Sequence, residues 1–244
     1  MQDLNTFPSL NKKEKDIKTV NIIKGLIMDT VRHANSGHTG GPMSSSDFAY
    51  ILYKEFLNFD PNNPNWFNRD RFILSAGHES ALQYVLLTMI GWLELDDLKK
   101  FRQLHSKTPG HPEIEMDGVE CTTGPLGQGI SNAVGFAIAE EMLKKKFGKE
   151  IFNHKTYVVA GDGCLMEGIS HEAMSLAGHL NLKNLVVLFD NNSISIDGPT
   201  KLAVSDNFKK RFESYGWDYF EIDGHNEKAI YKSLKKVQKA KKPT

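Results

Sequence analysis

Asp162 stands between two glycines, Gly161-Asp162-Gly163, directly after the apolar run Tyr157-Val158-Val159-Ala160. A second apolar run, Leu185-Val186-Val187-Leu188-Phe189, ends in Asp190-Asn191-Asn192. Short β-branched runs that each close in a turn bearing oxygen ligands read as parallel strands, and their carboxyl ends deliver a carboxylate and an amide to one place. A hard divalent cation such as Mg²⁺ asks for that donor set: one carboxylate, carbonyl oxygens, water and the phosphates of a bound molecule. The flanking glycines let backbone approach a phosphate closely. Taken singly, Gly-Asp-Gly is a common turn and Asn-Asn at a strand end is a loop opening. Together, at βαβ spacing, they form a specific signal.

Several elements must hold these groups. Residues 168–181 are long enough for the crossover helix that two parallel strands require. Residues 16–35 carry a helical apolar rhythm at Ile17, Val20, Ile23, Ile27 and Val31 and stop at Asn35-Ser36-Gly37, a turn that presents His38. A helix is expected from 45 or 46 to 56, a loop over 60–64 and a short strand at Arg71-Phe72-Ile73-Leu74. Gly77-His78-Glu79-Ser80 opens a helix running to Leu87, and 96–104 reads as another, followed by the Pro/Gly loop bearing His111. Gly124 begins a glycine-rich turn that runs into a helix over 130–147, whose small residues permit close packing in an α/β layer. Further on, the pattern predicts a helix over 206–214, a strand over 217–222 and an amphipathic helix over 227–239. No repeat or low-complexity linker interrupts the chain.

In its motifs the chain resembles transketolase. Gly161-Asp162-Gly163 leading to Asp190-Asn191-Asn192 resembles the thiamine diphosphate-binding motif. The narrower likeness lies in Ser36-Gly37-His38, Arg69-Asp70-Arg71-Phe72-Ile73-Leu74-Ser75 with Gly77-His78, Thr108-Pro109-Gly110-His111-Pro112-Glu113, and Thr123-Gly124-Pro125-Leu126-Gly127-Gln128-Gly129. The match runs in the family's order from about Ile17 onward. It implies a doubly wound α/β fold, a mostly parallel sheet with helices on both faces, forming one thiamine diphosphate-binding domain over residues 1–244. In the resemblance Asp162 and Asn192 supply side-chain oxygens and Ile194 a backbone carbonyl to Mg²⁺, with Ca²⁺ or Mn²⁺ as substitutes. Gly124, Pro125, Leu126, Gly163, Asn192 and His78 would touch the cofactor. His38, His78 and His111 would be the catalytic histidines lining the substrate channel.

The implied reaction moves a two-carbon ketol unit between a ketose phosphate and an aldose phosphate. The family's activating glutamate belongs to a pyrimidine-binding domain, so the resemblance also implies that these residues are C-terminally incomplete for that fold and need a homo-oligomer or a complementary subunit. Two other readings stand beside it: another thiamine diphosphate enzyme, such as a deoxyxylulose-phosphate synthase or a 2-oxo-acid dehydrogenase E1 component, and a non-catalytic cofactor-binding module. The loop from Thr108 to Glu113 and the Gly124 turn favour transketolase. Glu167 and Glu172 match acidic residues near the partner subunit, and read equally as helix surface.

The other histidines read more plainly. His105, His154, His171 and His179 fall in or near helices or a charged turn, as surface or capping residues, and His225 as a turn residue. With 244 residues, 40% hydrophobic and 25% charged, the chain can bury one substantial core. Thirty basic and thirty acidic side chains cancel, which argues against a nucleic-acid partner. Two cysteines make no disulfide framework and fit a reduced, cytoplasmic setting. No apolar run reaches transmembrane length, and the polar start, residues 1–11, has no secretory core.

Overall fold

A computed structural model describes residues 10–244, so most of the polar start lies outside the described residues. Three strands, β1 (Arg71–Leu74), β2 (Thr156–Gly161) and β3 (Leu185–Asp190), form a wholly parallel sheet in that order. Arg71 pairs with Thr156, and the β2–β3 register runs from Thr156↔Leu185 to Gly161↔Asp190. The first helices are α1 (Lys12–Ala34), α2 (Gly40–Ser44), α3 (Ser46–Glu55), α4 (Ser80–Met89) and α5 (Leu95–Leu98). They are followed by α6 (Gln128–Phe147), α7 (Asp162–Met166), α8 (Gly168–His179), α9 (Phe208–Ser214) and α10 (Glu227–Val237). A small hairpin, β4 (Ile194–Ser195) with β5 (Gly198–Pro199), stands beyond β3.

Alternation along the strands divides the interior in two. Phe72, Leu74, Tyr157, Val159 and Val186 join Ile23, Ile27, Leu52, Leu82 and Leu234 on one face, the side of α1, α3, α4 and α10. Ile73, Val158, Ala160 and Leu185 join Ile130, Ala133, Met174, Ala177 and Phe212 on the other, with α6, α8 and α9. Each fully buried aliphatic side chain of this kind contributes about 1.5–3 kcal/mol. The doubly wound expectation therefore holds. Among the described residues no helix is long and apolar enough to cross a membrane.

The helix ends follow local chemistry. α1 begins earlier than its apolar rhythm, because Asn11 and Glu14 form a reciprocal capping box, and it ends where Asn35 turns left-handed at φ 49°. Asn207 and Asn226 cap α9 and α10 by accepting from the Lys210 and Ala229 amides. The helix expected over 96–104 shrinks to Leu95–Leu98. Beyond it Arg102 and His105 both sit at φ 62°, a left-handed backbone that a helix excludes, and the Arg102 amide donates to Thr108 O.

The strand expected over 217–222 does not form. Only the last two residues come between it and β3: Val187 N–H donates to Thr244 O, Thr244 N–H donates to Leu185 O, and Asp218 N–H donates to Pro243 O. Past that rung, β3 and residues 219–222 face each other across a cavity of about 390 Å³. His154 is another correction. It is buried, not on the surface, with Nδ1 unpartnered; burial and the nearby Arg71 and Arg69 push its pKa down to about 4.

The start of α6 is jammed against the sheet: a Cβ built on Gly129 would fall 2.4 Å from Ser75 Cα, whereas one on Gly135 meets nothing within 4 Å. Gly129→Ala should cost about 1–3 kcal/mol by overpacking, and Gly135→Ala should add up to about 1 kcal/mol by helix propensity. Chemical denaturation of both variants checks the contrast, and equal effects would contradict this packing.

Candidate active site

Asp162 and Gly163 follow the carboxyl end of β2, Asn192 that of β3 and His78 that of β1, the usual place for ligands in such sheets. Register explains the pairing of the two motifs. Because Gly161 faces Asp190, the residues one and two places beyond, Asp162 and Asn192, leave adjacent strands at the same level.

Asp162 is 3% exposed and neither carboxylate oxygen has a hydrogen-bond partner. Backbone amides of Asp162, Asn192 and Ser193 lie near enough to favour its charge, yet none completes a bond. Burial, aided by the Asp190 charge, raises its pKa above the ordinary carboxylate value. Two orphaned buried oxygens are a high-cost arrangement in the absence of a cation. Asn192 donates from Nδ2 to Asp190 Oδ2 at 3.1 Å and accepts the Ile194 amide on Oδ1 at 3.0 Å. Among the described residues no cluster of three or more His, Cys, Asp or Glu could hold a metal unaided. A cation here would need oxygens from a ligand, as diphosphate supplies. On that donor set the residues fit the group.

Two backbone features frame the turn beyond β3. Ser193 and Ile196 adopt φ 62° and 58°, a conformation that is an outlier for a β-branched residue and stores about 1–3 kcal/mol. Ile196 is 97% exposed at the tip of the β4–β5 hairpin. Nothing in residue order marks Ile196, since only the three-dimensional turn reveals that an apolar side chain is held out there.

The three histidines converge. His38 and His78 rings meet edge to face with centroids 5.1 Å apart. Burial, then the fields of His38 and His111, push the His78 pKa down to about 4. His111 is lowered too, by burial, by Arg102 and by His38. The His78 and His111 turns lock together at Gly124. A Cβ there would sit 3.2 Å from His111 Cγ, and one on Gly77 would lie 2.7 Å from Gly124 N. Gly124 itself has φ 148°, so the close approach and the backbone both require glycine. Ser80 Oγ and Tyr84 Oη donate to the Gly110 and His111 carbonyls, anchoring the His111 loop to α4. Gly163 lies under Leu126, whose Cδ1 would be 2.8 Å from an added Cβ.

Arg102 falls within the helix that residue order predicts over 96–104, which hides its role. It instead bonds Ser36 Oγ at 2.5 Å and packs on Gly110, adding a positive charge between the His38 and His111 loops. His171, in contrast, stands apart from this group and is tied to Tyr215 and Arg211 on the α8–α9 side.

Comparison with known proteins agrees with this geometry. The family described as "Transketolase, thiamine diphosphate binding domain" matches residues 15–244. The chain belongs to the transketolase family. It is 56% identical over 231 residues to transketolase 1 of Pasteurella multocida, covering 92% of this chain and 35% of that protein. The Campylobacter jejuni transketolase structure superposes with a TM-score of 0.89 at 48% identity, over 92% of this chain and 35% of that one. A Pichia stipitis transketolase solved with sedoheptulose 7-phosphate gives 0.90 at 46% identity, over 93% and 35%. The chain thus spans about a third of the length of the transketolases it matches.

The lowered pKa of His78 has a measurable sign. Its proton affinity is below the ordinary 6.5, so the stability tied to the neutral ring is present above pH 6.5 and is lost as pH falls toward 4. The His78 ring proton resonances should stay those of neutral imidazole down to about pH 5. A midpoint at 6.5 in an NMR titration would refute the buried, repelled environment.

Proposed function

We propose that this chain binds thiamine diphosphate through a divalent cation, Mg²⁺ by preference, and contributes the diphosphate half of a transketolase active site. The observation that carries the reading is Asp162, with two buried, unpartnered oxygens beside Asn192 at the strand ends. Asp162 Oδ, Asn192 Oδ1 and the Ile194 carbonyl would hold the ion, and Gly163, beneath Leu126, would leave room for a phosphate. When bound, thiamine diphosphate would supply a carbon nucleophile and an electron sink for cleavage of a ketose carbon–carbon bond.

The chain's own part is placement and proton handling. A neutral His78 can accept a hydrogen bond at one ring nitrogen and donate at the other, which suits a hydroxyl in transit between carbonyl and alcohol. His38 and His111, on either side, would bind the sugar oxygens and stabilise charge on the reacting carbonyl. Burial first, and the Arg102 charge after it, lower the His111 pKa and so favour the neutral ring that can accept a proton. Gly124, Pro125 and Leu126 would form the wall against the cofactor ring.

Sugar phosphates are the substrate class this reading assigns, in line with the sedoheptulose 7-phosphate bound by the Pichia stipitis relative. The pyrimidine half of the site we assign to a pyrimidine-binding domain, on this or another subunit. A homo-oligomer fits α8, which leaves Ile169, Leu176 and Leu180 about half exposed along one side, a surface of the kind subunits cover. Cys121 and Cys164 are both free thiols, in keeping with a reducing, cytoplasmic compartment.

Asp162→Asn should weaken thiamine diphosphate binding in Mg²⁺ by roughly 100-fold, about 2.7 kcal/mol, while leaving the unliganded chain no less stable, because the carboxylate has no protein partner to lose. Calorimetric titration together with a melting curve reads both, and unchanged affinity would sink the ligand assignment. For substrate handling, His111→Ala in an enzyme completed by its pyrimidine-binding domain should cut ketol transfer by about 100-fold. Its cofactor affinity should stay within about twofold. Loss of cofactor instead would contradict that division of labour.

A further inference from the structure

Directly after His78, Glu79 turns away from the channel and into the protein. It is 2% exposed, and its side chain presses on α2: a Cβ built on Gly41 would fall 2.7 Å from Glu79 Oε1. Neither Glu79 Oε2 nor the neighbouring buried Ser45 Oγ completes a hydrogen bond, although Ser45 lies near enough to favour the charged form slightly. The groups that face it are Ser45 from the α2–α3 corner, the buried Cys164 thiol from α7, and the Asp190 carboxylate at the end of β3. The charge that bears on it is therefore of its own sign. A carboxylate left without a cation or a full set of donors in such a place is expelled or protonated. Burial first, and Asp190 second, push the Glu79 pKa up to about 8.

Asp190 has other partners to serve. It accepts from Ser44 Oγ on one oxygen at 3.0 Å and from Asn192 Nδ2 on the other at 3.1 Å. It thereby links the α2 corner, a few residues past His38, to the amide assigned to the metal. A second negative charge near it would add like-charge repulsion at the end of β3.

We propose that Glu79 is a positioning residue: its uncharged carboxyl seats the α2–α3 corner against the end of β3 and leaves Asp190 free to orient Asn192. That arrangement exists in the chain by itself; only its value for holding a cation rests on the function proposed above. The proton affinity of Glu79 in the folded chain exceeds its ordinary 4.5, so the stability tied to its proton is complete below about pH 4.5 and is lost as pH rises to about 8.

The test uses the whole unliganded chain, wild type against Glu79→Gln and Glu79→Ala. Glutamine keeps the shape and cannot ionise. Its melting temperature should match wild type near pH 5 and exceed it by about 4 °C or more at pH 8.5. The Asn192 side-chain amide resonances should shift in wild type with a midpoint near pH 8 and stay flat in Glu79→Gln. Glu79→Ala should displace the same resonances at every pH. A melting gap that does not change with pH, or Asn192 resonances in wild type that are flat between pH 6 and 9.5, would overturn the proposal. The second criterion needs no variant to fold. Titration of the same proteins with thiamine diphosphate and Mg²⁺ separates the two readings. If wild type binds no cofactor while its Asn192 amide follows Glu79, the function proposed above fails and the role of Glu79 stands.

Discussion

The β2–β3 pairing is the constraint on which the site depends. Six consecutive rungs, ending at Gly161↔Asp190, leave no freedom in where Asp162 and Asn192 emerge. A slip of one residue would invert every side chain of β3 between the two cores. Val186 would leave the interior it shares with Leu234, and Leu185 would leave Ala177. The apolar interior thus sets the separation of two polar groups at its edge. The same logic extends to β1, whose end carries Ser75 and, one turn later, His78. Ser75 Oγ accepts the Ile130 amide and so ties the histidine turn to the first turn of α6.

Electrostatics in the site follow from burial first and from crowding of like groups second. Three imidazoles and Arg102 share one mouth, and the pKa values of His78 and His111 are both lowered. A few residues deeper, Asp162, Asp190 and Glu79 crowd the strand ends, and the pKa values of Asp162 and Glu79 both rise. The two clusters are perturbed in opposite directions, each toward its uncharged form. A basic rim above an acidic floor suits a ligand that carries both a polyanion chelated to a cation and a polar, uncharged reacting end.

Much of this was legible in residue order. The Gly-Asp-Gly and Asp-Asn-Asn turns, the strand runs ahead of them and the apolar rhythms of α1 and α10 are local signals, and the structure keeps them. What escaped was set by tertiary context. Helix propensity over 96–104 gave way to left-handed Arg102 and His105, which the packing of Arg102 against Gly110 and Ser36 holds in place. The run over 217–222 has strand composition, yet a strand is defined by its neighbours, and only Asp218 finds one. His154 looked like a surface histidine in a charged turn because burial beside Arg71 leaves no mark on sequence. Glu79 was invisible for the same reason: its meaning lies in Gly41 and Asp190, which are far from it along the chain.

The order of the strands along the chain has a consequence for how the protein reaches this state. β3 follows β2 after α7 and α8 alone, whereas α4, α5 and α6 and the loops between them separate β1 from β2. Closing the longer loop costs more chain entropy before its contacts can compensate. The β2–β3 pair, and with it the turns of Asp162 and Asn192, should therefore assemble before β1 docks and brings the histidine turn to them.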